Sequence, residues 1–130
     1  MDLHAVKLFA GMADGDLKRL AQQMREVRHP KGAEVAVRGS EGVGFMVILD
    51  GEAEVNTPDG GQRVIGPGDH FGEMALLDHE GRSANITART DLRVAAIVEW
   101  NFKPFLMDHP EVAYRMLQTL SRRLREAEAR

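Results

Sequence analysis

The 130-residue chain predicts a mainly β fold, an eight-stranded antiparallel jelly-roll β-barrel (double-stranded β-helix) with N-terminal and C-terminal helices. Two observations predict it. Residues 31–99 contain short runs rich in Val and Ile that are separated by glycine-containing turns, as in antiparallel barrels. Residues 1–30 and 100–130 instead carry apolar residues at helical spacing. The length fits a single domain over 1–130, and the absence of cysteine excludes disulfides and thiolate chemistry.

The first zone is expected to be helical from about Leu3 to Arg28, with Asp14 as a candidate N-cap. An amphipathic helix is indicated by the apolar residues that recur at helical spacing, which are Leu17, Leu20, Ala21 and Met24. The sequence His29-Pro30-Lys31-Gly32 ends this pattern, because proline and glycine both interrupt helices.

Three segments of the middle zone read most clearly as strands. Glu34–Val37 and Glu52–Val55 alternate with a period of two, as half-buried strands do. Phe45–Leu49 is apolar throughout, which predicts a strand covered on both faces. The turns between strands are predicted at residues 38–42, 50–51, 58–61 and 66–69, where glycine and proline favour tight reversals.

The last zone is predicted to contain two helices. Trp100–Met107 forms one, and Pro110 lies in the first turn of the next, where its missing N–H is tolerated. The second helix carries an apolar stripe made of Val112, Met116, Leu117, Leu120 and Leu124. We expect this stripe to pack against the barrel, with a dimer seam as the alternative, so the chain is expected to be a monomer or a weak dimer.

The most informative stretch is Phe71–Leu77 followed by Arg82–Ala88. Gly72 precedes a run of good helix formers, and the unpaired N–H groups of a helix start can bind an anion. Arg82 adds a permanent charge with a planar fork that matches two phosphate oxygens. Glu73 can accept a hydrogen bond from a sugar hydroxyl. Together these residues predict a site for a phosphorylated nucleoside.

Other functions are disfavoured by composition and motif content. The net charge of −3 argues against nucleic acid or an anionic membrane as partner, and the apolar run at Phe45–Leu49 is too short to span a bilayer. His70 and Glu73 lie three residues apart without a second pair of ligands, so no metal site is expected. No nucleophile motif occurs, so the protein is not expected to be an enzyme. The lack of cysteine agrees with a cytoplasmic location.

The segments Phe71-Gly72-Glu73-Met74-Ala75-Leu76 and Arg82-Ser83-Ala84 closely resemble the phosphate-binding cassette of cyclic nucleotide-binding domains. These domains are the sensor modules of cAMP-dependent kinase regulatory subunits, bacterial catabolite activators and cyclic-nucleotide-gated channels. The resemblance extends from about Leu8 to Leu124 and implies a cassette at residues 71–84. The ligand-binding residues that it implies are Phe71, Gly72, Glu73, Met74, Ala75, Arg82, Ser83 and Ala84.

The resemblance also implies a role for each position. Glu73 would hold the ribose 2′-hydroxyl and Arg82 the cyclic phosphate, while the C-terminal helix would close over the base. The remaining contacts would come from the backbone at Gly72 and Ala75, the Ser83 side chain and the Ala84 amide. A hydroxyl after the arginine accompanies cGMP in eukaryotic relatives, but bacterial cAMP receptors carry Arg-Ser-Ala here, so we favour cAMP over cGMP.

The implied function is a non-catalytic sensor without a cofactor, which binds a cyclic mononucleotide and relays its occupancy through the C-terminal helices to an effector protein that the sequence does not identify. The alternative is a ligand-free protein-interaction module on the same fold. Met1 begins the chain and Arg130 follows a predicted helix, which favours a stand-alone sensor over a module from a longer protein.

Overall fold

The computed structural model describes residues 2–36, 44–72 and 84–129. Within these residues a 3₁₀ turn at Lys7–Phe9 precedes three α-helices and eight β-strands. The helices are α1 (Asp14–Gln23), α2 (Glu99–Asp108) and α3 (Pro110–Ala129). The strands are β1 (Met24–His29), β2 (Glu34–Ala36), β3 (Gly44–Asp50), β4 (Ala53–Asn56), β5 (Gln62–Ile65), β6 (His70–Phe71), β7 (Asn85–Ala88) and β8 (Leu92–Val98).

The strands form two four-stranded antiparallel sheets with the orders β1-β8-β3-β6 and β2-β7-β4-β5. The chain passes from one sheet to the other at almost every connection, and among the described strands only β4 and β5 are joined as a hairpin within a sheet. This connectivity is that of a jelly roll. The predicted fold, mainly β with flanking helices, is therefore confirmed.

Two apolar clusters stabilise this arrangement. The interior cluster lies between the two sheets and consists of Met46, Ile48, Ala53, Val55, Ile65, Phe71, Ala84, Ile86, Ala88, Leu92 and Val94. The helical cluster lies on the other face of the first sheet, where it joins that sheet to the helices. Its members include Leu8, Phe9, Leu17, Leu20, Phe45, Val47, Ile97, Phe102, Phe105, Val112 and Met116. The first sheet is thus covered on both faces.

The β3 strand shows how one segment serves both clusters. Phe45 and Val47 belong to the helical cluster, whereas Met46 and Ile48 belong to the interior cluster. All four side chains are buried, because successive residues of a strand point to opposite faces and both faces are covered here. The prediction that Phe45–Leu49 is a strand covered on both sides is confirmed.

The predicted extent of the first helical zone is wrong at its C-terminal end. Helix α1 ends at Gln23, and Met24–His29 forms β1, which pairs with β8 from Met24 opposite Ile97 to His29 opposite Leu92. Pairing with a distant strand overrides the local helical pattern of these residues. Asp14 is also not the N-cap: it is the first residue of α1, and Ala13 occupies the cap position without a side-chain hydrogen bond.

The turn at Gly66–Asp69 sets the position of β6, and the sequence predicts this turn correctly. Gly68 has a φ of +90°, and the Asp69 N–H donates to the Gly66 carbonyl at 3.0 Å, as expected for Pro67-Gly68 at the centre of a tight turn. Two further hydrogen bonds attach this turn to Ile48 of β3: the Gly68 N–H donates to the Ile48 carbonyl and the Ile48 N–H donates to the Asp69 carbonyl, each at 2.8 Å. The turn therefore holds β6 beside β3.

The C-terminal helices follow the sequence prediction except in one part of the apolar stripe. Val112 and Met116 are fully buried in the helical cluster, and Leu120 packs partly against it. Leu117 and Leu124, in contrast, are 61% and 59% exposed. The expectation that the whole stripe packs against the barrel is wrong for these two residues, because their side of α3 faces away from the helical cluster.

Candidate functional site

Phe71, at the entry to the predicted cassette, is a core residue. It is the last residue of β6, pairs with Met46 of β3 and is 3% exposed within the interior cluster. A side chain this deeply buried anchors the chain rather than offering a polar contact. Its role in ligand binding stays a prediction.

Gly72 follows β6 in a left-handed conformation. Its φ is +90°, which glycine adopts without the steric cost that a Cβ atom would add. The residue is partly exposed. The positive φ alone explains a glycine at this turn, and the close approach of a ligand to its backbone stays a prediction.

Ala84, at the exit of the cassette, lies in the same interior cluster as Phe71 and is 7% exposed. It immediately precedes β7, an inner strand of the second sheet, whereas β6 is an edge strand of the first. Phe71 and Ala84, which bracket residues 73–83 in the sequence, thus belong to one apolar cluster but adjoin different sheets: Phe71 ends β6 of the first sheet, and Ala84 precedes β7 of the second.

Five of the predicted site residues fall outside the described residues. They are Glu73, Met74, Ala75, Arg82 and Ser83. Their assigned roles stay predictions. The structure brings together Phe71 and Ala84, which bracket them, and sets the backbone direction at Gly72.

The interior cluster offers a ligand apolar contacts. All of its members are apolar, so these side chains can pack against a base or a sugar ring but cannot bind a phosphate. Any charged contact to a ligand between the sheets has to come from elsewhere in the chain. The segment at 73–83, with its glutamate and arginine, carries suitable groups.

Sequence reasoning missed a contact between β6 and α3. His70 is buried, and its ring lies against that of Phe45 with their centroids 5.4 Å apart. The Arg123 Nη2 atom donates a hydrogen bond of 2.9 Å to the His70 carbonyl. Arg123 lies seven residues after the buried Met116, which is two turns along the same helix face, and this spacing could have identified it as an inward-facing arginine.

An ion pair with shifted pKa values lies at the other edge of the first sheet. Arg93 Nη2 on β8 donates to Glu26 Oε1 on β1 at 2.6 Å. This bond lowers the pKa of Glu26 and raises the pKa of Arg93, because each partner stabilises the charged form of the other. Since β1 and β6 are opposite edges of the sheet, the pair stabilises strand pairing away from the candidate site.

The described residues offer neither a metal centre nor a membrane span. Residues 2–36, 44–72 and 84–129 contain no group of three His, Asp or Glu side chains placed to hold a metal ion. In the same ranges, every helix is too short or too polar to cross a bilayer.

Comparison with known proteins decides the family. A model of the cyclic nucleotide-binding domain matches residues 26–109, a span that includes the predicted cassette. The chain belongs to this family. The resemblance that the cassette residues indicated is therefore confirmed.

The similar proteins include regulators of transcription and of a protein kinase. The chain is 28% identical over 91% of its length to a CRP-like cAMP-activated global transcriptional regulator of Mycobacterium tuberculosis, of which it covers 55%. It is 32% identical over 80% of its length to a cAMP-dependent protein kinase regulatory subunit of Aspergillus niger, of which it covers 26%. The chain thus spans about half or less of the length of these relatives. By its family match it is a cyclic nucleotide-binding regulatory domain.

The fold agrees with a solved structure from the same family. The crystal structure of the Thermus thermophilus catabolite activator protein superposes with a TM-score of 0.80 at 30% identity. The match covers 94% of this chain and 60% of that one. The two sheets and the flanking helices described above are therefore the arrangement expected for this family.

Proposed function

We propose that the chain, as a single domain over 1–130, is a non-catalytic sensor that binds cAMP at the cassette and relays occupancy through α3 to a partner protein. One observation carries this proposal. Phe71 and Ala84, the described residues on either side of the cassette's charged residues in the sequence, both belong to the apolar interior cluster. An apolar interior with a few polar groups at its rim suits a nucleotide.

In this proposal each cassette residue has one task. Arg82 pairs with the cyclic phosphate in a bidentate contact, and Glu73 accepts a hydrogen bond from the ribose 2′-hydroxyl. Ser83 and the Ala84 amide complete the phosphate contacts. Gly72 and Ala75 offer main-chain atoms, and the φ of +90° at Gly72 supports the first of these two.

The relatives support cAMP over cGMP as the ligand. The Mycobacterium regulator is described as cAMP-activated and the Aspergillus kinase subunit as belonging to a cAMP-dependent enzyme. This chain carries Ser83 directly after Arg82, so a hydroxyl is present that could also contact guanine. The names of the relatives outweigh this hydroxyl, so we assign cAMP as the ligand and expect weaker binding of cGMP.

The contact between α3 and β6 supports the proposed relay. Arg123 of α3 binds the carbonyl of His70, two residues before Gly72. A ligand that reorders the chain after Gly72 would change the position of this carbonyl and with it the stability of the C-terminal half of α3. The same helix also presents Leu117 and Leu124 to solvent, a surface on which a partner can dock.

Titration calorimetry with cAMP and cGMP tests the proposal. We expect Arg82→Ala to lose roughly 2–4 kcal/mol of cAMP binding free energy, because a charge-assisted bidentate contact disappears. Arg25→Ala is the matched control, since Arg25 is an exposed arginine on the opposite edge strand of the first sheet and should leave the affinity unchanged. Absence of binding at millimolar nucleotide, or equal affinity in all three proteins, would contradict the proposed site.

A further inference from the structure

A basic cleft lies on the helical side of the first sheet, away from the interior cluster. Its volume is about 340 Å³, and its walls are the 3₁₀ turn, the turn at Gly66–Asp69 and helix α3. The basic residues that line it are Lys7, Arg115, Arg122 and Arg123. Asp69 is the single acidic side chain among the described lining residues, so the cleft is strongly positive in a chain whose net charge is −3.

Two of these guanidinium groups are held in place by main-chain carbonyls. Arg115 Nη1 donates to the Leu8 carbonyl at 3.2 Å, and Arg123 Nη2 donates to the His70 carbonyl at 2.9 Å. Both side chains are half-buried. A carbonyl orients a guanidinium without neutralising its charge, so Arg115 is positioned in advance for an anion.

Three of the cations that line the cleft form no ion pair with a described acidic side chain. The ion pairs formed between described side chains include neither Lys7 nor Arg115 nor Arg122. Asp69 uses its Oδ2 atom to accept a bond of 2.9 Å from the Gly66 N–H, which fixes it within its own turn. The concentrated positive charge favours binding of an anion that carries more than one negative charge.

We propose that this cleft binds a polyvalent phosphate, either inorganic pyrophosphate or the diphosphate group of a nucleotide. Arg115 and Arg122 are seven residues apart on α3, which separates their Cα atoms by about 10 Å along the helix axis. A chain of two phosphates spans such cations better than a single phosphate does. Lys7 faces them from the 3₁₀ turn, and Thr119 lies between them with a hydroxyl that can donate a hydrogen bond.

This cleft and the proposed cAMP site lie on opposite faces of the same short strand. His70 contacts Phe45 of the helical cluster and lines the cleft, whereas its neighbour Phe71 points into the interior cluster. Both ligands can therefore be bound at once. The phosphate proposal rests on residues outside the cassette and does not depend on cAMP binding.

Calorimetry with pyrophosphate on the full chain, at constant ionic strength, tests the cleft. We expect Lys7→Gln and Arg122→Gln each to weaken pyrophosphate binding by about fivefold, since each removes one exposed cation, and the double variant to abolish saturable binding. Inorganic phosphate should bind at least tenfold more weakly than pyrophosphate. A parallel titration with ADP distinguishes the sources: tighter ADP binding identifies a nucleotide and tighter pyrophosphate binding an inorganic ion, and both support the cleft.

Two control variants test whether pyrophosphate binds in the cleft rather than elsewhere on α3 or at the cassette. Arg125→Gln removes an exposed arginine of α3 that does not line the cleft, and it should leave pyrophosphate binding intact. Arg82→Ala should also leave it intact while weakening cAMP. The proposal is overturned if the parent shows no saturable binding, if Arg125→Gln weakens binding as much as Arg122→Gln does, or if Arg82→Ala abolishes it. Failure of cAMP to bind would leave the pyrophosphate result unaffected.

Discussion

At the scale of single residues, Gly51 is a position where the structure leaves no room for a side chain. Its φ is +89°, and a Cβ atom added there would lie 2.2 Å from the Asp91 carbonyl oxygen and 2.9 Å from Thr90 Oγ1. The two constraints are independent, since one is the strain of a left-handed backbone and the other is a clash with the chain before β8. The turn between β3 and β4 therefore requires glycine.

We predict that Gly51→Ala lowers the free energy of unfolding by about 2–4 kcal/mol, the sum of the backbone strain and the overpacking cost. Gly60→Ala is the matched control: Gly60 also has a positive φ, +84°, but no atom lies within 4 Å of an added Cβ. It should cost only about 1 kcal/mol. Chemical denaturation of both variants measures the difference, and equal losses would show that the clash relaxes without cost.

His4 joins two carboxylates and gives the N-terminal segment a pH dependence. Its Nδ1 lies 2.9 Å from Asp2 Oδ1 and its Nε2 lies 3.1 Å from Asp14 Oδ1. Both ring nitrogens can donate only when the imidazole is protonated. Hydrogen bonds to Asp2 and then to Asp14 accordingly raise the pKa of His4 above its ordinary 6.5.

The sign of the effect follows from this raised pKa. The stabilisation by His4 is fully present below the unfolded-state pKa near 6.5 and is lost as the pH rises through the higher folded-state pKa. We predict that His4→Gln lowers the melting temperature more at pH 5.5 than at pH 8.5. An NMR titration of the histidine ring in the parent protein checks the cause, and a His4 pKa at or below 6.5 would contradict it.

At the scale of secondary structure, one face of α3 packs on the helical cluster and the neighbouring face is exposed. Met116 is 2% exposed beside α2 and the 3₁₀ turn, whereas its neighbour Leu117 is 61% exposed. The α2 and α3 helices are separated by His109 alone, whose N–H donates to the Phe105 carbonyl at 3.0 Å. The docking of α3 therefore depends on a few buried side chains near its start.

We predict that Met116→Ala lowers the free energy of unfolding by about 2–4 kcal/mol, because it removes buried methylene groups and leaves a cavity. Leu117→Ala, at the adjacent exposed position, should change it by less than about 0.5 kcal/mol. Urea denaturation of both variants gives the two values. A large loss in Leu117→Ala would mean that its side of α3 is buried in solution, as it would be in a dimer.

The strands that could be predicted from sequence are those whose pattern is set locally. The apolar run of β3 and the Gly66–Asp69 turn carry strong local signals, and both are confirmed. The β1 strand could not be predicted, because Met24–His29 contains helix formers and its partner β8 lies about 70 residues away in the chain. The bond from Arg123 to His70 depends on where α3 docks, which no local pattern determines.

At the scale of the whole molecule, one strand of two residues stands between the proposed ligand site and the helices. His70 faces the helical cluster and Phe71 the interior cluster, while the cassette that follows was recognisable from its residue types and spacing. The sequence therefore identified the family and its ligand class. The physical route from that site to α3 required the three-dimensional arrangement.

We predict that Arg123→Gln uncouples helix α3 from the proposed cAMP site. In the parent, cAMP should slow amide hydrogen exchange in the C-terminal half of α3, and in the variant this slowing should disappear. The cAMP affinity of the variant should also fall roughly three- to tenfold, because a charge-assisted hydrogen bond is lost. Arg125→Gln should behave like the parent. Unchanged exchange in α3 when the parent binds cAMP would contradict the relay.

The bond between Arg123 and the His70 carbonyl has a consequence for the cAMP concentration at which the proposed sensor responds. Thermodynamic coupling is reciprocal, so under the proposed relay a partner that stabilises α3 on β6 raises cAMP affinity by the same factor by which cAMP raises affinity for the partner. The concentration of cAMP that triggers the response is then a property of the complex rather than of this chain alone. One domain can thereby operate at different thresholds with different partners.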